Sequence, residues 1–178
     1  MKAEKDSLRK KTRGLVRHHA PVLSASLAER LRGWTFWQQA SCVCVFSALA
    51  DEPDVLPSWP EGKRIAMPRV EGDELQFRWV ASRGELRPGR FGILEPASEA
   101  PDAGSEFDLI LVPGKAFDLQ GGRLGRGKGF YDRFLAEARG LRAGVCFDDQ
   151  IVEGVPLEPH DLRMDFVVTP SSIYRCGS

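Results

Sequence analysis

The spacing of hydrophobic residues predicts helices at the start of the chain. A polar and basic stretch from residue 2 to about 19 carries Leu8, Leu15 and Val16 at helical spacing. A shorter pattern over 23–31 predicts a second helix, with Ser24 or Ser26 as its cap. The first third of the chain therefore opens with helices.

Short apolar runs bounded by glycine, proline or charged residues predict the strands. They cover 41–46, 64–67, 75–80, 108–112, 141–147 and 166–169. The run over 108–112 has no polar alternation, which is typical of a strand covered on both faces. A glycine-rich segment and a helical pattern over 130–139 follow it, giving the order of a βαβ unit. We predict one α/β domain over residues 1–178, a Rossmann-like three-layer α/β/α fold with a mainly parallel sheet and ligands beyond the carboxyl ends of the strands.

The composition argues against nucleic acid and membranes as partners. The 25 lysines and arginines equal the 25 aspartates and glutamates, so no net field attracts nucleic acid or a membrane surface. No apolar run approaches the ~20 residues needed to cross a bilayer, and no apolar segment follows the basic start as in a signal peptide. We expect a cytoplasmic monomer that binds neither nucleic acid nor membranes.

The cysteines and histidines indicate structural roles. The four cysteines lack the C-x-x-C spacing of zinc and redox sites. Cys42 and Cys44 lie two apart in a predicted strand, so they share one face and are expected in the core. We interpret His18, His19 and His160 as surface or hydrogen-bonding residues.

The segment 121–133, with the sequence GGRLGRGKGFYDR, carries the strongest chemical pattern. Glycine permits positive φ and a close approach of the backbone to a ligand. Successive N–H groups can then point at phosphate oxygens, with Arg123, Arg126 and Lys128 as countercharge. The spacing matches neither a Walker loop nor G-x-G-x-x-G after a strand. On the pattern alone, phosphate binding is favoured and a solvated turn remains the alternative.

Two aspartates are open to more than one interpretation. Asp132 lies near the glycine-rich segment, where its carboxylate can hold Mg²⁺ or stabilise a helix N-terminus. Asp165 precedes the last predicted strand and on its own is typical of a turn or a cap.

The segment DLILVPGKAFD over 108–118, followed by RLGRGKGFYDR over 123–133, resembles the signature of the 5-formyltetrahydrofolate cyclo-ligases, also called methenyltetrahydrofolate synthetases. The resemblance is long and ungapped. Similar pieces occur in the same order along most of the chain, at 5–9, 62–63, 67–68, 92–96, 144–147, 150, 156–161 and 165.

This resemblance implies a three-layer α/β/α fold and an ATP- and Mg²⁺-dependent reaction. The family converts 5-formyltetrahydrofolate to 5,10-methenyltetrahydrofolate and releases ADP and phosphate. Its members are understood to phosphorylate the formyl oxygen, after which a folate amine attacks the activated carbon and phosphate departs. Such phosphoryl transfer depends on positioning and charge stabilisation, which fits a loop of N–H groups, arginines and lysine.

The resemblance also implies roles for individual residues. The implied ATP-binding set is Lys5, Arg9, Arg123, Leu124, Gly125, Arg126, Gly127, Lys128, Gly129, Phe130 and Tyr131. The implied folate-binding set is Glu52, Arg126, Gly127, Lys128, Gly129 and Phe130, with Glu52 recognising the pterin ring. Asp132 and Asp165 are the implied Mg²⁺ ligands. Arg126 and Lys128 are expected to be catalytic, because they flank Gly127 where the transferred phosphoryl group develops charge.

Five aromatic residues are candidates for a wall beside the pterin, although each is also typical of a core: Phe46, Trp79, Phe117, Phe130 and Tyr131.

The chain departs from the family pattern after Glu52. The family has a helix there, whereas this chain places three prolines within eight residues, Pro53, Pro57 and Pro60, which disfavour a helix. An alternative function is therefore a nucleotide-binding family member whose pterin site has drifted. A dinucleotide-dependent oxidoreductase is disfavoured by the missing glycine fingerprint and ribose-binding acid.

Overall fold

The computed structural model describes residues 2–12, 20–89, 92–158 and 161–177. The helices are α1 (Lys2–Lys11), α2 (Ala20–Gly33), α3 (Thr35–Gln39) and α4 (Phe130–Glu137). The strands are β1 (Cys42–Cys44), β2 (Arg64–Glu71), β3 (Glu74–Val80), β4 (Arg87–Pro88), β5 (Leu94–Glu95), β6 (Glu106–Pro113), β7 (Ala116–Phe117), β8 (Arg123–Leu124), β9 (Arg139–Val145), β10 (Phe166–Val168) and β11 (Ile173–Arg175). Short 3₁₀ turns lie at Arg83–Glu85 and Asp148–Gln150.

Within these described ranges, seven strands form the main sheet in the order β11-β10-β9-β6-β1-β2-β3. The five central strands, β10, β9, β6, β1 and β2, run parallel to one another. The edge strands β3 and β11 run antiparallel. The sheet is therefore mainly parallel, as predicted.

Both faces of the central strand β6 are covered. Leu109 and Leu111 belong to the core cluster that contains Leu27 of α2. Ile110 belongs to the opposite cluster, which contains Leu135 of α4. Burying each of these side chains contributes about 1.5–3 kcal/mol, and burial on both faces explains why the sequence of this strand does not alternate. The sheet therefore lies between two layers of helices, as predicted, with one core cluster on each of its faces.

Several local predictions needed correction. Residues 20–22 belong to α2, ahead of the predicted start at residue 23. Ser24 lies inside the helix, where its Oγ accepts a hydrogen bond from Asp54 N at 3.1 Å instead of capping the helix. α3 and β11 were missed, since five and three residues carry little periodicity.

The connection from β1 to β2, residues 45–63, contains no helix, as its prolines predict. In the sheet, β1 lies between β2 and β6, and the chain continues from β1 to β2 on one side while β6 pairs with β1 on the other. The order of the strands therefore reverses at β1. Such a reversal opens a crevice beyond the carboxyl ends of β1 and β6, the usual ligand position in such sheets.

Cys44 is fully buried, as expected for a core residue, and Cys42 is partly exposed. All four cysteines lie in described ranges and are free thiols. Among the described residues, no helix is long and apolar enough to span a membrane. The rest of the first predicted helix, beyond Thr12, and all three histidines lie outside the described ranges. The monomeric state, the cytoplasmic location and the extent of the domain stay predictions.

Candidate active site

A cleft of about 350 Å³ opens at the carboxyl ends of β1 and β6. One wall is the segment 46–52 after β1, and the opposite wall is the glycine-rich loop that leads into α4. Apolar residues from β2, β3 and the loop after β4 complete it. The lining includes Phe46, Ser47, Leu49, Glu52, Pro68, Val70, Leu75, Ile93, Pro113, Gly114, Arg123, Gly125, Arg126, Gly127, Lys128, Gly129, Phe130, Tyr131 and Asp132. The cleft thus brings apolar and charged surfaces together.

The backbone of the loop has the conformation that its glycines predict. Gly127 has φ +87° and Gly129 has φ +69°, values that residues with a side chain rarely adopt. Gly129 is also the N-cap of α4 and makes the sharp change of direction into the helix. The positive end of α4 therefore begins at the cleft.

Two buried polar side chains support the loop from behind. The Asp118 carboxylate accepts hydrogen bonds from the N–H groups of Gln120, Gly122 and Val155 at 2.9, 2.8 and 2.7 Å. The Gln150 amide donates to the carbonyls of Gly114 and Lys115 at 3.2 and 3.1 Å. Sequence reasoning gave neither residue a role, although both lie in segments that resemble the family.

Glu52 and Arg126 meet across the cleft. Glu52 Oε1 accepts hydrogen bonds from Arg126 Nε at 3.1 Å and Nη2 at 2.8 Å, and Oε2 accepts one from Leu49 N at 3.0 Å. Burial raises the pKa of Glu52, and the charge of Arg126 and the Leu49 N–H oppose that rise. The structure therefore brings together the two residues expected at the folate and phosphate positions.

A second ion-paired group was not foreseen. Asp51 accepts hydrogen bonds from Arg126 through Oδ1 and from Lys115 through Oδ2. Asp51 and Lys115 are 64 residues apart. No local pattern in the sequence could have paired them.

The side chain of Arg123, at the cleft, is held by contacts within the protein. Its side chain is only 6% exposed and donates to Asp132 Oδ1 at 2.5 Å and to the Pro113 carbonyl at 3.2 Å. Its guanidinium lies 5.7 Å from the centre of the Tyr131 ring. Asp132 is 42% exposed, which leaves part of its carboxylate open to the cleft.

Helix α1 reaches the loop from its outer side. Arg9 Nε donates to the Gly125 carbonyl at 3.0 Å, and Arg9 Nη1 pairs with Asp6 at 2.7 Å. Lys5 pairs with Glu158 at 3.2 Å and with Asp161 at 2.6 Å. Arg9 therefore joins the loop directly, whereas Lys5 lies one helical turn away at the 158–161 segment.

Lys128 is an exposed cation of the loop. It lines the cleft, and among the described residues no ion pair or hydrogen bond engages its ammonium group. Its charge is therefore available to a ligand.

Three candidates from the sequence have side chains outside the lining of the cleft: Leu124, Trp79 and Phe117. Leu124 is 1% exposed and its side chain packs with Ala116 and Val155, and its contact with the nucleotide stays a prediction. Trp79 packs against Arg64, and Phe117 is fully buried in the core. Of the five aromatic candidates, the cleft is lined by Phe46, Phe130 and Tyr131.

Asp132 and Asp165 are not brought together. Asp132 lies in the first turn of α4 at the cleft. Asp165 Oδ2 accepts a hydrogen bond from Arg142 N at 2.7 Å, and the Arg142 side chain contacts the Leu135 and Ala138 carbonyls at the far end of α4. Asp165 thus holds β9 to the start of β10 at the amino ends of these strands, whereas the cleft lies at carboxyl ends. The role of both carboxylates as Mg²⁺ ligands stays a prediction.

The described residues contain no group of three or more histidine, cysteine, aspartate or glutamate side chains arranged to hold a metal ion. This pattern excludes a preformed all-protein cage within the described ranges. Mg²⁺, in contrast, usually binds through one or two carboxylates together with substrate phosphates and water. Asp132, which is 42% exposed at the cleft, fits this mode.

Comparison with known proteins gives a consistent result. The family model "5-formyltetrahydrofolate cyclo-ligase family" matches residues 1–170. A 5-formyltetrahydrofolate cyclo-ligase from Mycolicibacterium smegmatis is 38% identical over 80% of this chain and 81% of its own length. One from Escherichia coli is 31% identical over 94% of this chain and 98% of its own.

A solved structure is similar as well. The 5,10-methenyltetrahydrofolate synthetase of Aquifex aeolicus superimposes with a TM-score of 0.87 at 35% identity, covering 98% of this chain and 93% of that protein. The match therefore includes the sheet, the glycine-rich loop and the segment after β1. Taken with the geometry of the cleft, it shows that the chain belongs to the 5-formyltetrahydrofolate cyclo-ligase family.

Proposed function

We propose that this protein uses ATP and Mg²⁺ to cyclise 5-formyltetrahydrofolate to 5,10-methenyltetrahydrofolate, releasing ADP and phosphate. The observation that carries the proposal is the meeting of Glu52 with the loop 123–132 in one cleft. A carboxylate suits the adjacent N–H donors of a pterin, and the basic loop suits a nucleotide phosphate. Membership of the cyclo-ligase family supports both assignments.

The chemistry requires activation of a poor electrophile. The terminal phosphoryl group of ATP is transferred to the formyl oxygen, and the neighbouring folate amine nitrogen then attacks the formyl carbon. The carbon–oxygen bond breaks, the oxygen leaves within phosphate, and the amine loses its proton. The protein must position the two substrates and stabilise the developing charge.

The cleft supplies these requirements from two sides. We assign Lys128 and Arg126 to the transferred phosphoryl group, since both line the cleft beside Gly127. The loop N–H groups and Arg9 hold the rest of the nucleotide, with Lys5 one helical turn further along α1. Phe46, Phe130 and Tyr131 offer apolar surface to the pterin, and Glu52 offers it a carboxylate.

Asp132 is the residue that we assign to Mg²⁺. Its carboxylate is half-exposed at the cleft, and one oxygen stays paired with Arg123. When bound, the ion would neutralise phosphate charge that the loop balances only in part. Asp165 takes no part in this assignment.

A single assay tests the proposal. Purified protein is incubated with 5-formyltetrahydrofolate and MgATP, without other enzymes, while the absorbance of the methenyl product is followed. We expect product formation that stops when ATP is omitted. The absence of product from folded protein would contradict the proposal.

The alternative of a nucleotide-binding protein without cyclo-ligase activity rested on the proline-rich segment after Glu52. That segment is irregular, yet Glu52 still lines the cleft and contacts Arg126. Because the predicted folate carboxylate remains in place, this observation favours the cyclo-ligase.

A further inference from the structure

We propose that Asp51, held by Lys115, is a positioning residue that competes with Glu52 for Arg126 and so frees Glu52 to bind the folate ring. This inference rests on the proposed function. It concerns a pair of residues that the reaction itself does not call for.

The need for such a residue follows from the contacts of Glu52. Oε1 accepts two hydrogen bonds from Arg126, at 3.1 and 2.8 Å, which use both of its lone pairs, whereas Oε2 accepts one, from the Leu49 N–H at 3.0 Å. A ring with two adjacent N–H donors pairs with both oxygens of a carboxylate and therefore needs a lone pair of Oε1. Arg126 must therefore withdraw from Glu52 before the ring can pair with it.

Asp51 offers Arg126 a second carboxylate. Arg126 Nη2 donates to Asp51 Oδ1 as well as to Glu52 Oε1, so the guanidinium already bridges the two acids. Glu52 is 7% exposed, and Asp51 is only partly buried at the edge of the cleft. A shift of Arg126 towards Asp51 keeps its charge paired while it vacates the buried carboxylate.

Lys115 keeps Asp51 in place and ionised. Its Nζ pairs with Asp51 Oδ2, and its own backbone is fixed by hydrogen bonds from Lys115 N to the Leu124 carbonyl at 2.7 Å and from Gln150 to the Lys115 carbonyl at 3.1 Å. Burial acts to raise the pKa of Asp51, but the bonds from Lys115 and Arg126 outweigh it and lower the pKa overall. Asp51 is thus anchored to the rigid turn after β6, although its own segment has no regular structure.

The cluster has no net charge, because Lys115 and Arg126 are cations and Asp51 and Glu52 are anions. Without Asp51, Arg126 has Glu52 as its one carboxylate partner in this cluster, and the pair must tighten. Folate would then have to displace Arg126 from Glu52 without compensation. Nucleotide phosphate would relieve this competition, because it draws Arg126 away from Glu52.

The test is the affinity for 5-formyltetrahydrofolate, measured by calorimetry with and without saturating Mg²⁺ and a β,γ-imido analogue of ATP. In Asp51→Asn without the analogue, we expect folate binding to weaken about 10-fold, the size expected for one charged hydrogen bond. With the analogue, we expect affinity within about 3-fold of the unsubstituted protein. Asp73→Asn, an exposed aspartate in the β2–β3 turn, is the matched control and should change neither value.

The analogue-dependent recovery distinguishes positioning from a structural role. An Asp51→Asn affinity equal to that of the unsubstituted protein, or a loss of equal size with and without the analogue, would overturn the inference. Thermal unfolding of each variant checks that the fold is retained.

Lys115 is tested through a double-mutant cycle. Lys115→Met should weaken folate binding in the same direction as Asp51→Asn, and adding it to Asp51→Asn should have no further effect. Fully additive losses would show that Lys115 does not act through Asp51. An absence of turnover in the unsubstituted protein would instead refute the proposed function. Failure of this inference, which is measured as folate affinity in the variants, is therefore distinguishable from failure of the proposed function.

Discussion

The two walls of the cleft hold their charged side chains in different ways. The loop wall is fixed by backbone conformation, through the positive φ of Gly127 and Gly129 and the hydrogen bonds of Asp118. The wall after β1 has no regular structure, and ion pairs that cross the cleft fix its acidic residues. A preformed wall suits a ligand that always has the same phosphates, whereas a wall held by exchangeable ion pairs can change partners when a second ligand arrives.

Metal removal should have the largest effect, because the loop wall cannot balance a nucleotide alone. In excess EDTA we expect turnover to fall by about 10³-fold or more, in line with the several kcal/mol that a bound cation contributes to charge stabilisation. The measurement is the rate of methenyl product formation, with recovery on adding excess Mg²⁺ as the control. Full activity in EDTA would show that the loop wall suffices.

Lys128→Ala should separate catalysis from binding on the loop wall. We expect kcat to fall by about 10²-fold, comparable to the loss of one preorganised donor, while KM for ATP changes less. In the proposed assignment, backbone N–H groups, Arg9 and Mg²⁺ would still hold the ground-state nucleotide. Steady-state kinetics give both constants, and Lys10→Ala, an exposed lysine on α1, is the control. A large rise in KM at unchanged kcat would make Lys128 a binding residue.

Glu52→Gln should act on the opposite wall and on the other substrate. A neutral amide presents a different donor and acceptor pattern to the pterin, so we expect KM for folate to rise about 10–30-fold. KM for ATP should change by less than about 3-fold. Glu61→Gln, an exposed acid before β2, is the matched control. Normal folate kinetics in Glu52→Gln would reduce Glu52 to a structural residue.

Gly129→Ala tests whether backbone conformation fixes the loop wall. At φ +69° an alanine is strained, and its Cβ would also lie 2.7 Å from the Arg133 guanidinium. We expect the free energy of unfolding to fall by about 1–2 kcal/mol. Urea denaturation measures it, with Gly62→Ala, a site of positive φ whose Cβ meets open space, as a comparison. Unchanged stability in both variants would show that positive φ costs little here.

Sequence predicted the loop wall better than its counterpart, for a physical reason. Glycines before a helix and a non-alternating strand are local signals, and both β6 and the loop have the predicted form. The bridge from Lys115 through Asp51 to Arg126 joins residues 64 and 75 positions apart, which no local pattern encodes. For the same reason, spacing did not reveal that Asp165 accepts a hydrogen bond from Arg142 and links β9 to β10.

The contacts of α1 with Val155 and Asp161 affect how the protein folds during synthesis. Lys5 pairs with Asp161, 156 residues later, and Leu8 packs beside Val155. A ribosome synthesises about 5–20 residues per second, so several seconds or more pass between the synthesis of α1 and that of Val155 and Asp161. A polar helix of ten residues is marginal without tertiary contacts during that interval. The contacts that hold α1 are therefore completed only after Asp161 has been synthesised, and until then Arg9 is not held against the glycine-rich loop.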